Sequence, residues 1–286
     1  MVNTLSDQPR KGRGAAGNAA GRFDARERVR TDDGWWQEEE LAGQWMTDFK
    51  PDASRTILTR NASPDIPFDR SINPYKGCEH GCIYCFARPT HSYLSLSPGL
   101  DFETKIFFKS GGAALLEKEL RKPGYQCAPI ALGVNTDAYQ PAEKELGVTR
   151  DILQVLHDYQ HPVSIITKSA RILRDLDLLV PLAAKNLAHV MISITTLDPA
   201  LARVMEPRAS APANRLKAME ALNKVGVPTG LLASPMIPAL NDMELEAILA
   251  AAADRGAVQA GYIFLRLPNE LTELFEDWLR MHFPNR

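Results

Sequence analysis

The stretch SINPYKGCEHGCIYCFARPTHSYL, residues 71–94, holds three of the four cysteines of this 286-residue chain. Cys78, Cys82 and Cys85 follow the spacing CxxxCxxC. A structural zinc site uses four ligands and a disulfide uses two thiols, so three cysteines match neither arrangement. Three thiolates suit one side of an iron–sulfur cluster and would leave one iron free for an exchangeable ligand.

Other residues of the same stretch bear on this interpretation. Gly77 and Gly81 allow the loop to turn tightly around a bulky cluster, and Tyr84 would place an aromatic ring over whatever ligand occupies the open iron. The alternative is a zinc site completed by His80 or His91, although neither histidine stands at the spacing of a zinc finger.

Around this stretch, short apolar runs alternate with segments of helical periodicity. The runs predict six strands, at 71–75, 129–135, 163–167, 189–196, 228–236 and 261–266. The periodic segments predict six helices, at 112–122, 148–160, 174–186, 212–226, 242–256 and 271–283. Apolar strands joined by helices indicate a parallel sheet that is buried on both faces.

Six such units are too few for an eight-stranded barrel, so the pattern indicates either a partial (β/α)6 barrel or a doubly wound sheet. In both architectures the functional groups gather at the carboxyl ends of the strands. The cysteine loop directly follows the first predicted strand and therefore lies where chemistry is expected.

On these residues the chain resembles the radical S-adenosylmethionine (SAM) enzymes, which carry CxxxCxΦC, with an aromatic Φ, after the first strand of a partial barrel. Over about residues 55–286 it is also similar to a bacterial subfamily grouped with spore photoproduct lyase and often labelled "DNA repair photolyase-like". The wider pattern consists of TKIFFKS, NTDAYQPAE, ITKS, RDLDLL, SITTLD, MEPRA and IPALND.

The resemblance implies an α/β fold, namely a partial (β/α)6 TIM-type barrel that is open on one side. It implies a [4Fe-4S] cluster on Cys78, Cys82 and Cys85, with SAM at the open iron. An external one-electron donor of the flavodoxin or ferredoxin type would allow SAM to be cleaved to a 5′-deoxyadenosyl radical, which abstracts hydrogen from a substrate. The rival hypothesis is a non-catalytic iron–sulfur or zinc protein.

The resemblance also implies a set of SAM-binding residues: Tyr84, Asn135, Thr136, Asp137, Lys168 and Ser193. Asn135, Thr136 and Asp137 follow the second strand, where many radical SAM enzymes have Gly-Gly-Glu, and an ordinary turn is the alternative there. Lys168 and Ser193 would hold the SAM carboxylate, whereas a solvated lysine and a packing serine are the alternatives.

The chain departs from spore photoproduct lyase in having no cysteine at the end of the second strand. Cys127 precedes that strand, and a small buried hydrophobe is its predicted role. This departure counts against repair of the thymine-dimer type.

The first 34 residues predict a disordered or weakly ordered basic leader, which bears seven basic and two acidic residues between positions 8 and 30. It is either a nucleic-acid-binding arm or a solvated segment. Residues 35–70 predict a connecting segment that packs on the core, and residues 71–286 predict the radical SAM domain.

Composition narrows the class of protein. Hydrophobic residues make up 45% and the net charge is −2, which is ordinary for a globular chain and gives no general attraction to polyanions. No secretory signal and no apolar run long enough to cross a bilayer is present. We therefore expect a cytoplasmic protein without membrane contact, with nucleic acid as a candidate partner.

Overall fold

In the computed structural model, which describes residues 10–24, 46–64 and 66–285, the strands form two sheets. The strands are β1 (Asp48–Pro51), β2 (Thr59–Arg60), β3 (Arg70–Ile72), β4 (Tyr75–Lys76), β5 (Lys105–Phe108), β6 (Ile130–Leu132), β7 (Val163–Thr167), β8 (Ala188–Ser193), β9 (Thr229–Met236) and β10 (Gln259–Phe264). The larger sheet has the order β10-β9-β8-β7-β6-β3-β2, and the smaller sheet has the order β1-β5-β4.

The order of the larger sheet decides between the two predicted architectures. Strands β3 and β6 to β10 are parallel neighbours in chain order, and only β2 pairs in an antiparallel sense, with β3. A doubly wound sheet would reverse its strand order at a switch point. Because β2 and β10 do not pair, the sheet stays open. The predicted partial barrel, open on one side, is confirmed.

The helices connect these strands. They are α1 (Leu100–Thr104), α2 (Gly112–Leu120), α3 (Glu143–Leu146), α4 (Val148–Asp158), α5 (Leu176–Ala183), α6 (Pro199–Met205), α7 (Pro212–Lys224), α8 (Leu245–Ala253) and α9 (Leu271–His282). All six predicted helices are present. The short helices α1, α3 and α6 were not predicted, because segments of four to seven residues show too little periodicity.

The core lies between the outer face of the sheet and its crossover helices. Ile165, Val190 and Leu231 come from three neighbouring strands and are buried to 1% exposure or less. They belong to one apolar cluster with Leu156 of α4 and Leu222 of α7. Each such side chain contributes about 1.5–3 kcal/mol by burial. This core fixes the strand ends to which the functional residues are attached.

The smaller sheet holds the beginning of the cysteine loop. Strand β4 leads into that loop and pairs with β5, which in turn pairs with β1. The backbone N–H of Cys78 donates to the carbonyl of Phe102 in α1 at 2.9 Å. The first thiol is therefore attached to this sheet and to the helix before β5.

Residues 10–24 differ from the disordered leader predicted for the N-terminus. Ala15, Ala16 and Ala19 are at most 5% exposed, and backbone groups of this segment bond to the body. A segment rich in Gly and Ala buries little apolar area, so its composition indicates disorder. Its small side chains also permit close backbone contact, which composition does not register. Residues 1–9 and 25–34 lie outside the described residues, and the domain boundaries stay predictions.

Two further expectations concern the burial of Cys127 and membrane-spanning helices. The prediction that Cys127 is buried is wrong, since this cysteine is exposed; it lies in the loop before β6, outside the apolar core. Among the described residues, no helix is both long enough and apolar enough to cross a membrane.

Candidate metal centre

The cysteine loop turns where its glycines lie. Gly77 has φ +81° and Gly81 has φ +67°, values that strain any residue with a Cβ. Cys78 and Cys82 are buried, Cys85 is partly exposed, and all three are free thiols. The predicted tight turns are thus present, and they gather the three thiols in one loop at the carboxyl ends of the strands.

The loop is bonded to two neighbouring segments. The N–H of Glu79 donates to the side-chain oxygen of Gln140 at 2.8 Å, and the Gln140 amide donates to the carbonyl of Gly77 at 3.2 Å. The N–H of Ile83 donates to the carbonyl of Met205 at 3.0 Å, at the end of α6. Residues after β6 and β8 therefore fix a loop that has no regular ladder of its own.

The donor set of the loop consists of three thiols, which by their chemistry suit an iron–sulfur cluster. Within the described ranges, no three His, Cys, Asp or Glu side chains are grouped closely enough to hold one metal ion, the three cysteines included. An iron–sulfur cluster spreads its thiolates over separate corners and so requires wider spacing. His91 is engaged with the carbonyl of Lys105 at 3.0 Å, and His80 lies 3.4 Å from Asp137. Neither histidine completes a zinc site here.

Burial raises the pKa of the two inner thiols. The pKa of Cys78 lies well above its ordinary value because of burial and then the charges of Asp137, Cys82 and Cys85. Burial, with the charge of Glu206, raises the pKa of Cys82 to about 12, although Lys168 opposes the change. Without metal these thiols stay protonated at neutral pH, so metal binding must displace their protons.

A buried carboxylate lies behind the loop. Glu206 accepts hydrogen bonds from the Tyr84 hydroxyl, from Thr195 Oγ1 at 2.9 Å, and from the guanidinium of Arg215. Arg215 also donates to the carbonyl of Ser193 at 3.0 Å. One charged pair thus joins the cysteine loop to the end of β8.

Lys168 completes this group at the end of β7. Its ammonium lies 5.8 Å from the centroid of the Tyr84 ring, a cation–π contact. Burial lowers the pKa of Lys168, but the negative charge that Cys82 carries as a thiolate and the charge of Glu206 outweigh burial, so the pKa is raised overall. The structure therefore brings Lys168 and Tyr84 together beside Cys82, with the lysine charged, whereas Ser193 is connected to this group through the bond of its carbonyl to Arg215.

The three residues that follow β6 have different surroundings. Asp137 accepts from the N–H of Tyr139 at 2.8 Å, the bond of a turn. It also accepts from the N–H of Lys168 (2.6 Å) and from Thr167 Oγ1 (2.7 Å) at the end of β7. Thr136 donates to the carbonyl of Tyr75, and Asn135 has an exposed side chain. Among the three, Asn135 is the side chain that faces solvent.

Sequence reasoning did not assign a role to Glu206 or Arg215. Arg208, two residues after Glu206, is not its partner, since Arg208 pairs with Glu79 at 3.0 Å. A signal for Arg215 was present, since it falls on the apolar face of α7 with Met219 and Leu222 at helical spacing. A charge on such a face must find a buried partner.

Comparison with known proteins identifies the family to which the chain belongs. The family model of the radical SAM superfamily matches residues 72–252. Uncharacterized proteins of Mycobacterium tuberculosis and Mycobacterium bovis are 36% identical over 221 residues, which cover 77% of this chain and 65% of each of theirs. An uncharacterized protein of Methanocaldococcus jannaschii is 31% identical over 178 residues, covering 60% of this chain and 62% of that protein.

The chain thus spans 65% of the length of the mycobacterial relatives. Among solved structures, a spore photoproduct lyase variant with bound AdoMet and dinucleoside spore photoproduct is similar, with a TM-score of 0.57 and 14% identity. The similarity covers 83% of this chain and 66% of that chain. At this identity the match supports the fold alone.

We predict that Glu206→Gln weakens the fold in a pH-dependent way. Burial raises the pKa of Glu206, but Arg215, Lys168 and hydrogen bonds to the carboxylate lower it to about 2 from an ordinary 4.5. The charge therefore stabilises the fold above pH 4.5, and this contribution is lost as pH falls through about 2. The variant should lose roughly 3 kcal/mol of unfolding free energy at neutral pH.

Urea unfolding of the metal-free protein measures this loss at neutral pH and near pH 3. The gap between wild type and variant should shrink at the lower pH. Glu220→Gln, which alters a solvent-screened pair on α7, serves as the control and should change little. An equal gap at both pH values would contradict the assigned charge.

Proposed function

The chain belongs to the radical SAM superfamily, and from that premise we propose that Cys78, Cys82 and Cys85 bind a [4Fe-4S] cluster at which SAM is reductively cleaved. The loop geometry supports this proposal: three thiols, two of them buried, follow tight glycine turns at the carboxyl ends of the strands. When bound, cluster and SAM supply an electron and a 5′-deoxyadenosyl radical that abstracts hydrogen from a substrate.

Lys168 and Tyr84 are proposed to position SAM. Lys168 carries its charge beside Cys82, where the SAM carboxylate would approach the open iron, and an ammonium binds a carboxylate by charge-assisted hydrogen bonds. Tyr84 is fixed by Glu206 and presents its ring next to the lysine. Ser193 is buried at the end of β8 and would contribute to the same carboxylate site.

Asn135, Thr136 and Asp137 are proposed to border the other side of the SAM site. In this group Asp137 acts through its neighbours, because its carboxylate holds the backbone N–H of Lys168. Asn135 has the exposed side chain and would be the one that contacts a ligand.

Two classes of activity compete: a SAM-cleaving enzyme, and an iron–sulfur protein that only transfers electrons. We favour the enzyme because a charged lysine and a fixed tyrosine stand beside the cysteine loop, which a purely structural cluster does not need. An external flavodoxin- or ferredoxin-type donor would supply the electron. Formation of 5′-deoxyadenosine from SAM by the reduced protein distinguishes the two classes.

Nucleic acid is the substrate class that we propose to test first. The solved structure of similar fold holds a dinucleoside spore photoproduct. The basic leader offers fewer charges for nucleic-acid binding than its sequence contains. Arg13 donates to the carbonyl of Glu103, and Arg22 pairs with Glu270. Arg26, Arg28 and Arg30 lie outside the described residues.

Replacing Cys78, Cys82 and Cys85 together by Ala should abolish iron binding and the brown visible absorption after anaerobic reconstitution. The reason is that the proposed cluster is bound through these three thiols. Cys127→Ala is the matched control, because this cysteine is exposed and distant in sequence, and it should retain both signals. Full iron content in the triple variant would refute the cluster assignment.

Lys168→Ala should retain the cluster but bind SAM more weakly. Loss of one charge-assisted hydrogen bond costs about 1.5–3 kcal/mol, roughly a 10- to 100-fold rise in Kd. Lys217→Ala, on the solvent side of α7, is the control. Isothermal titration with SAM makes the comparison, and an unchanged Kd would mean that Lys168 is only a structural cation.

If nucleic acid is the substrate, a single-stranded oligonucleotide should bind and should dissociate as salt rises. Replacing Arg26, Arg28 and Arg30 by Ser leaves the described contacts of the leader intact. It should weaken binding and flatten the log–log salt slope by about 0.7 for each phosphate that these arginines neutralise. Fluorescence anisotropy measures both, and absence of binding by wild type would direct the search to small molecules and peptides.

A further inference from the structure

The N-terminal segment 10–24 packs directly on the cysteine loop, and we call it the N-terminal clamp. A Cβ on Gly14 would stand 1.9 Å from the carbonyl oxygen of Gly81, so the two backbones touch. Ala15 is 2% exposed and packs in one cluster with Ile83 of the loop and Trp278 of α9. The clamp is therefore part of the wall around the thiols.

The N-terminal clamp is hydrogen-bonded to the carboxylate of Glu103. This side chain is fully buried at the end of α1. Its two oxygens accept the backbone N–H groups of Gly14 at 3.0 Å and of Ala15 at 2.9 Å. The guanidinium of Arg13 donates to the Glu103 carbonyl at 2.9 Å. Both oxygens of a buried anion are thus satisfied by backbone that the clamp provides.

Arg88 connects Glu103 to the cysteine loop, because it bonds to both. It is fully buried and pairs with Glu103 at 2.5 Å. Its other N–H groups donate to the carbonyls of Cys82 at 2.9 Å and Gly81 at 3.0 Å. Two more donate to the carbonyls of Pro98 and Gly99. One guanidinium therefore holds two backbone groups of the loop.

The clamp is anchored at further points along its length. The Leu100 N–H donates to the Gly17 carbonyl at 3.1 Å, and Ser97 Oγ donates to the Ala19 carbonyl at 2.6 Å. Arg22 pairs with Glu270 at 3.2 Å. These contacts along the segment fix its backbone in one position on the body of the protein.

We propose that the N-terminal clamp sets the position and the electrostatics of the cluster loop through Glu103 and Arg88, which act as positioning residues. This inference rests on the proposed cluster. Glu103 neutralises a buried guanidinium that is bonded to the carbonyl of the ligand Cys82. The charge and hydrogen bonding around a cluster set its reduction potential, so the clamp tunes the cluster as well as retaining it.

The first test compares Gly14→Ala with Gly111→Ala, where an added Cβ meets nothing within 4 Å. In the metal-free protein, trypsin should cut the Gly14→Ala chain after Arg13 and Arg22 several-fold faster than wild type or control. After reconstitution, Gly14→Ala should carry several-fold less iron. If the clamp is released in this variant but iron content and potential equal those of wild type, the proposal is overturned.

The second test uses Glu103→Gln, which keeps the shape of the side chain but leaves Arg88 without a counter-charge. An unneutralised cation beside Cys82 favours the reduced cluster, so the midpoint potential should shift in the positive direction. The shift should appear in protein that retains its iron, and Glu273→Gln on α9 should not show it. An unchanged potential in an iron-replete Glu103→Gln protein overturns the electrostatic role. Wild type that takes up no cluster overturns the proposed function itself, whereas normal wild type with unaffected variants overturns only the clamp.

Discussion

The fully buried pair of Glu206 and Arg215 is the interaction on which the cofactor side of the molecule depends. Both side chains are at most 2% exposed, and an ion buried that deeply must be paired and hydrogen-bonded. Glu206 accepts hydrogen bonds from Tyr84 and Thr195, and Arg215 donates a hydrogen bond to the carbonyl of Ser193. Removing one partner of such a pair typically costs about 3–5 kcal/mol. The tyrosine ring, the end of β8 and the cysteine loop therefore keep one arrangement.

A second buried pair, Arg88 with Glu103, also holds the cysteine loop. The cysteine loop forms no ladder of backbone hydrogen bonds, yet its buried carbonyls still need donors. The guanidinium of Arg88 supplies them for Gly81 and Cys82. These fixed donors therefore hold the backbone of the loop on both sides of the Gly81–Cys82 peptide bond.

Six strands of the parallel sheet, β3 and β6 to β10, were predicted, and five of them are buried apolar runs, a pattern that depends on local order alone. The sixth, β10, is largely exposed, and the short strands β1, β2, β4 and β5 were not predicted as separate elements. The spacing of the cysteines likewise predicted where the candidate metal-binding loop lies. Glu103 escaped prediction because it belongs to a helix of five residues with no readable period. Its partners lie far away along the chain, at Gly14 and Arg88. Contacts of this kind follow from the tertiary fold and have no local signature.

The N-terminal clamp also explains how an open barrel can be stabilised at its mouth. Gly14 is bonded to Glu103, next to the loop that follows the first strands, whereas Arg22 is bonded to Glu270, between β10 and α9. The same stretch of backbone therefore joins the first and last units of the sheet, which do not pair with each other. A closed barrel would obtain this link from strand pairing. Here a segment of small residues provides it, because only small residues allow backbone to lie against backbone at the contact between Gly14 and Gly81.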